Sequence, residues 1–429
     1  MTDQRPVYII DGSRTPFLKA RGGPGPFTPV DLAVQCGRPL LTRQPAAYDA
    51  YDLVILGCVN VIADEMNPAR VAALRLGMGE DTVAFTVQIN CGSGMQSIDT
   101  AYRYIRDGSA DLILAGGTEA LSHTPLVFRN DAVEWYAGMA RAKGTLERAS
   151  LLADIRPDFF KPVIGLERGL TDPITDLNMG QTAEILAHRF GISREAADHY
   201  AVGSHRRLAK AQEEGWLDGE VEPAFDRNGN VYRKDDGVRP DSNMESLAKL
   251  SPAFEKPYGK VTAGNSSQIT DGASWVILAS EEAVKRHRLD PMATLRDSQW
   301  SALNPSVMGL GPVLCATEMM KRNGLGREAI DLWEINEAFA AQVLACLAAW
   351  EDETFCREIL DLPEAFGPID HDRLNVDGGA ISLGHPVGTS GNRIVLHLVR
   401  AMARLGKKCG IASECIGGGQ GGAMLVEMV

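Results

Sequence analysis

No C-x-x-C pair occurs in this chain, and its eight histidines stand apart from its eight cysteines, Cys36, Cys58, Cys91, Cys315, Cys346, Cys356, Cys409 and Cys415. Neither a zinc site nor a disulfide framework is indicated, and no metal ligand set is assigned. Positive charge is also scarce. The 43 Lys and Arg stand against 56 Asp and Glu, a formal net charge of −13, which argues against binding to nucleic-acid phosphates. The longest nearly uncharged apolar run, Ala338 to Trp350, is too short to cross a bilayer, so no transmembrane segment is expected. Met1 to Tyr8 has neither the charged start nor the apolar stretch of a signal peptide. A reducing cytoplasm is therefore the expected compartment. No G-x-G-x-x-G or G-x-x-x-x-G-K-[ST] motif stands in a strand-to-helix context. Gly264-Asn265-Ser266-Ser267 thus gains no support as a phosphate cradle.

What is present is a 429-residue chain, 45% hydrophobic and 23% charged, long enough for two or three domains. Short β-branched runs (Val7 to Asp11, Leu53 to Gly57, Val83 to Ile89, Leu112 to Ala115) alternate with helical patterns, which reads as α/β. After Cys91, the residues Met95, Ile98, Ala101, Tyr102 and Ile105 recur at helical spacing until Asp107-Gly108 stops them. After His385, the residues Ile394, Val395, Leu398, Val399, Met402 and Leu405 repeat the plan. Each helix is followed by a strand ending in glycines, and Asp52-Leu53 and Asp331-Leu332 open the preceding strands, so two related halves are inferred. Asp52 to Cys91 spans 39 positions and Asp331 to His385 spans 54, an excess that the charged stretch 351–373 accounts for as an insertion. The expected boundaries are a first half at 1–121 completed by 261–285, a less regular covering domain at 122–260 with one clear helix from Ser193 to Glu214, and a second half at 286–429. Segment 351–373 is expected to be a solvated loop or a partner surface.

Four segments could carry chemistry. Cys91, in Asn90-Cys91-Gly92-Ser93-Gly94, sits at a helix start, where orphan N–H groups favour a thiolate nucleophile; a buried cysteine at a tight turn is the plainer alternative. His385, among Gly378, Gly379 and Gly384, could deprotonate a thiol or simply satisfy a turn. Cys415 ends a strand before Gly417-Gly418-Gly419, and the returning strand Ala423 to Met428 makes a hairpin whose backbone amides could hold an oxyanion. Asn336, between the strand Leu332 to Ile335 and a helix from Ala338 to Ala349, could cap that helix, orient a water, or both.

Taken in order, Asn90-Cys91-Gly92-Ser93-Gly94-Met95, Asn336-Glu337-Ala338-Phe339, Gly378-Gly379-Ala380-Ile381-Ser382-Leu383-Gly384-His385-Pro386 and Cys415-Ile416-Gly417-Gly418-Gly419 resemble the thiolase family over nearly the whole chain. The resemblance implies a duplicated five-layer α/β/α/β/α fold with a loop domain covering coenzyme A. It implies an acyltransferase that cleaves 3-oxoacyl-CoA with CoA, or runs the reverse Claisen condensation. Acyl-CoA and CoA are then the substrates, with no cofactor beyond them. By carry-over Cys91 is the acylated nucleophile, His385 activates it, and Cys415 is the general acid and base. One oxyanion hole combines His385 with a water held by Asn336, and the other combines the amides of Cys91 and Gly417. The resemblance further puts Met179, Phe254, Ser267, Met308 and Phe339 along the pantetheine and acyl path, and implies a homodimer or homotetramer.

Within the family, Asp236 to Pro240, Ser251 to Gly259 and the insertion look like the branch of trifunctional-enzyme β subunits, with a β-oxidation partner docking on 351–373. That branch usually has His where this chain has Asn336. Arg206, Arg207, Lys210, Arg233 and Lys234 are candidates for the CoA phosphates. The competing readings are a ketoacyl-synthase-type condensing enzyme, opposed by Cys415, and a catalytically silent acyl-CoA-binding subunit, opposed by the retention of Cys91, Asn336, His385 and Cys415.

Overall fold

A computed structural model describes residues 5–429. In the first half the strands lie in the order Val83–Val87, Leu53–Gly57, Leu112–Ala120, Thr270–Ala279, Tyr8–Arg14. In the second half the order is Leu332–Ile335, Cys409–Ile416, Gln420–Met428, Ala293–Ala302. Leu374 bridges Trp333 in parallel, as Val83–Val87 runs parallel to Leu53–Gly57 in the first half. The halves join edge to edge where Tyr8 pairs with Thr294 and Ile9 with Ala293. The paired aspartates play the same part in each half. Asp52 Oδ2 accepts from the amides of Asp111 (2.7 Å) and Leu112 (2.9 Å), and Asp331 Oδ2 from those of Lys408 (2.9 Å) and Cys409 (3.1 Å).

Three apolar clusters make the layers. Leu32, Cys36 and Leu40 of the helix Pro29–Thr42 cover the outer face of the first sheet against Trp275. Two helices, Ser93–Arg106 and Val387–Leu405, bury Met95, Ile98 and Ile105 with Ile394, Leu398 and Met402 between the sheets. Val313, Met319 and Trp350, on the helices Gly311–Asn323 and Ala340–Glu351, cover the outer face of the second sheet. The order helix, sheet, helix, sheet, helix is the five-layer α/β/α/β/α arrangement. The central helices cross closely because glycines meet there. A Cβ on Gly94 would lie 2.7 Å from the Asn392 amide nitrogen, and one on Gly391 2.6 Å from that of Met95.

Segment 122–260 departs from the irregular reading. Beside Arg194–Glu213, capped by Ser193, it holds Asn130–Arg141, Thr145–Ala153 and Met179–Arg189, the last opened by an Asn178/Gln181 capping box. Buried charges fasten it down: Arg14 pairs with Glu220 (2.6 Å) and Asp235 (2.7 Å), and His397 Nδ1 reaches Glu220 (2.8 Å). The segment 351–373 is also more than a solvated loop. Its charges face solvent, while Phe355, Cys356, Leu360 and Ile369 enter the core around Trp333 and Trp350. Among the described residues no helix is long and apolar enough to cross a membrane.

Candidate active site

The strand Val83–Val87 stops two residues short of the expected Ile89, because the chain turns sharply at Asn90, whose φ is +49°. Ser93 clasps that turn. Its hydroxyl donates to Asn90 O (2.7 Å) and accepts from Ile89 N (2.9 Å), so Cys91 is presented just ahead of the helix Ser93–Arg106, which Gly92 caps. Across the fold, Cys409–Ile416 and Gln420–Met428 form the expected hairpin, turned through Gly418 (φ +93°) and Gly419 (φ +80°). The Asn90 side-chain amide donates to Gly417 O (2.8 Å).

Cys91 does not carry the depressed pKa expected of a helix start. Burial pushes its thiol up to about 11, with Glu414 and Glu119 adding to the shift, and the backbone amides of Gly417 and Cys91 that face the sulfur only partly oppose it. His385 is buried too. Burial and the Arg393 charge push it down to about 4, so the imidazole is neutral. Its Nδ1 lies 2.6 Å from Ser390 Oγ, and that hydroxyl donates to Pro386 O (3.3 Å). With that hydroxyl donating to Pro386 O, Nδ1 carries the proton and Nε2, buried with no partner among the described residues, carries the lone pair. A neutral imidazole with a free Nε2 can take a proton from a thiol.

Cys415 is the penultimate residue of its strand and 1% exposed. Burial, reinforced by Cys91 and Cys346, holds its thiol well above the usual range, so it keeps its proton. Asn336 corrects the sequence reading. The helix begins at Ala340 with Phe339 as its cap, and both polar atoms of the Asn336 side chain are buried with no partner among the described residues. An amide left so is costly unless it serves a ligand or water, which suits the second of its expected roles.

Cys91, Asn90, Gly417 and Gly418 open onto a cavity of about 250 Å³, closed by Val59, Leu121, Leu166, Leu170, Met179 and Val387. Of the five expected substrate contacts, Met179 lines this cavity. Phe254, Met308 and Phe339 pack with Met179 around Cys415, Phe254 and Phe339 meeting edge to face at 6.0 Å. Ser267 holds the Asn336 loop by donating its amide to Ala338 O (3.0 Å), and its neighbour Gln268 accepts from the His385 amide (2.9 Å). The five expected phosphate contacts do not line the cavity. Arg207 is spent on the carbonyls of Leu374 (2.8 Å) and His371 (3.1 Å).

Sequence reasoning missed Glu119. This fully buried carboxylate accepts from the amides of Val59 (3.1 Å), Asn60 (2.9 Å) and Gly388 (3.0 Å), tying together two walls of the cavity. It also missed Ser390, and the wall residues Leu166 and Leu170 from the short helix Gly165–Gly169 and the turn after it.

The thiolase N-terminal domain profile matches residues 7–282, and the thiolase C-terminal domain profile matches 289–428. The chain belongs to the thiolase family. This thiolase is 38% identical over 427 residues to the bovine mitochondrial 3-ketoacyl-CoA thiolase, covering 99% of this chain and 98% of the relative. It is 36% identical over 424 residues to the bovine mitochondrial trifunctional enzyme subunit beta, covering 99% and 88%. Its fold superimposes on human mitochondrial 3-ketoacyl-CoA thiolase in complex with CoA with a TM-score of 0.84 at 36% identity, over 99% and 98% of the two chains. Against the acetyl-CoA acetyltransferase of Syntrophomonas wolfei the TM-score is 0.86 at 29% identity, over the whole of both chains.

Proposed function

We propose that this enzyme cleaves 3-oxoacyl-CoA with CoA, giving acetyl-CoA and a shortened acyl-CoA through an acyl-Cys91 intermediate. The observation that carries the reading is Cys91 on the cavity wall, beside the Gly417 amide and near enough to Cys415 to raise its thiol. Gly417 lies two residues after Cys415, and Val387, two residues after His385, lines the same cavity. His385 Nε2 takes the Cys91 thiol proton as the sulfur attacks the 3-keto carbon. The C2–C3 bond then breaks, and the acetyl-CoA enolate takes the proton of Cys415. Cys415 thiolate next removes the thiol proton of an incoming CoA, whose sulfur attacks the thioester. Cys91 leaves and recovers its proton from His385. The amides of Cys91 and Gly417 serve the oxyanion on the acyl carbon, and His385 with a water on Asn336 serves the enolate oxygen. The same groups run the condensation in reverse.

The reading includes a homodimer or homotetramer, a reducing compartment, and a β-oxidation partner on 351–373. The solvent-facing charges Glu353, Arg357, Glu358 and Asp361 support the last. Thiolysis of a 3-oxoacyl-CoA series from acetoacetyl to long chain tests the activity, with Cys91→Ala and Cys415→Ala each expected to lower kcat by about 10³-fold or more. A folded wild-type protein inactive on every chain length would sink the reading in favour of an acyl-CoA-binding subunit.

A further inference from the structure

Asn90 meets two demands at once. Its φ of +49° lies in the left-handed region, where Gly, Asn and Asp are the usual occupants. Its side chain faces Gly417 O, a pure acceptor, at 2.8 Å, so the group opposite must be an N–H donor. Glycine has no side chain and aspartate no donor at neutral pH. Asparagine satisfies both the turn and the contact.

That contact joins positions 327 residues apart and crosses between the two halves of the fold. It grips the glycine hairpin at the residue whose own amide faces the Cys91 sulfur. The far side of the turn is held separately, by the Leu303 amide donating to Gly419 O (2.8 Å). On the Gly417 side, Gly418 is exposed, and besides Asn90 the neighbour of Gly417 is the flexible Met179, whose sulfur would lie 3.2 Å from a Cβ at Gly417. On the Cys91 side the turn is rigid, because Ser93 clasps Ile89 and Asn90. The Asn90 amide therefore transfers the rigidity of the nucleophile turn to the hairpin.

We propose that Asn90 is a positioning residue that aims the Gly417 amide at the oxyanion formed when Cys91 is acylated. The inference rests on the thiolase mechanism proposed above. Donors aimed in advance count most when charge develops, and a shift of about 1 Å costs up to about 10²-fold in rate. The effect should fall on kcat, since the ground-state thioester makes weaker use of that amide.

The test compares Asn90→Gly, which keeps the turn and removes the donor, with Asn90→Asp, which keeps the turn and sets a carboxylate against Gly417 O. Thiolysis kinetics of the best 3-oxoacyl-CoA substrate are read beside Cys91 alkylation by iodoacetamide, a displacement that develops no oxyanion. Expected are a fall in kcat of about 10-fold for Asn90→Gly and more for Asn90→Asp, with KM within about twofold of wild type and the alkylation rate falling clearly less than kcat, since the Gly417 amide also favours the thiolate. A wild-type kcat in Asn90→Gly would overturn the proposal. So would a loss of kcat matched by an equal loss of alkylation, which would mean a collapsed turn rather than a mis-aimed amide. Wild-type protein without thiolysis would instead sink the underlying mechanism, and this inference with it.

Discussion

Cys91 and His385 are both uncharged in the free enzyme, because burial raises the thiol to about 11 and lowers the imidazole to about 4. The free enzyme should then show no preformed thiolate. Its inactivation by iodoacetamide is expected to rise about tenfold per pH unit from pH 7 to 9 without levelling. A plateau near pH 6 to 7 would reveal an ion pair instead. At this scale residue type and glycine-rich setting made Cys91, His385 and Cys415 candidates, and the family resemblance supplied their expected roles. Asn90 and Glu119 were illegible because their partners are backbone atoms far along the chain, Gly417 O for one and the amides of Val59, Asn60 and Gly388 for the other. Asn336 was half legible. Asparagine before a helix reads as a cap, but the chain runs on to Phe339 before the helix begins.

The elements that deliver these groups are the central helices Ser93–Arg106 and Val387–Leu405, and their spacing depends on Gly94 and Gly391. Gly391→Ala should drive a methyl group against the Met95 amide and Glu414, costing about 1–3 kcal/mol of stability in chemical denaturation. It should also lower kcat by shifting the Cys91 turn relative to His385. An unchanged midpoint and kcat would show that the crossing has slack. Both helices were readable from apolar spacing, and the Asp107-Gly108 stop fell where the first ends. The core anchoring of segment 351–373 was not legible because Phe355, Cys356 and Leu360 are scattered among charges.

Over the whole molecule, buried charges hold the covering segment to both halves. Burial alone would strip the His397 proton, but Glu220 and Asp377 more than offset this and raise the group to about 10. The unfolded chain releases that proton near 6.5. The stabilisation is therefore full below about pH 6.5 and is lost as pH climbs toward 10. His397→Gln should be destabilised by about 3–5 kcal/mol at pH 6, and its deficit against wild type should narrow by pH 10. A deficit independent of pH would show that His397 acts by packing alone. The duplication was legible because Asp52 and Asp331 hold equivalent strand ends, whereas these ion pairs join Arg14, Glu220, Asp235 and His397 from segments that no local pattern connects.

The edge pairing of Tyr8 with Thr294 and Ile9 with Ala293, and the contact of the two central helices, leave only the short turn Arg288 to Pro291 as the covalent link between the halves at that seam. Cys91 lies before the turn, and His385 and Cys415 lie after it. Two polypeptides made separately, 1–289 and 290–429, should each be inert and should regain turnover when co-expressed. The active site would then double as a complementation reporter for the assembly of its own scaffold.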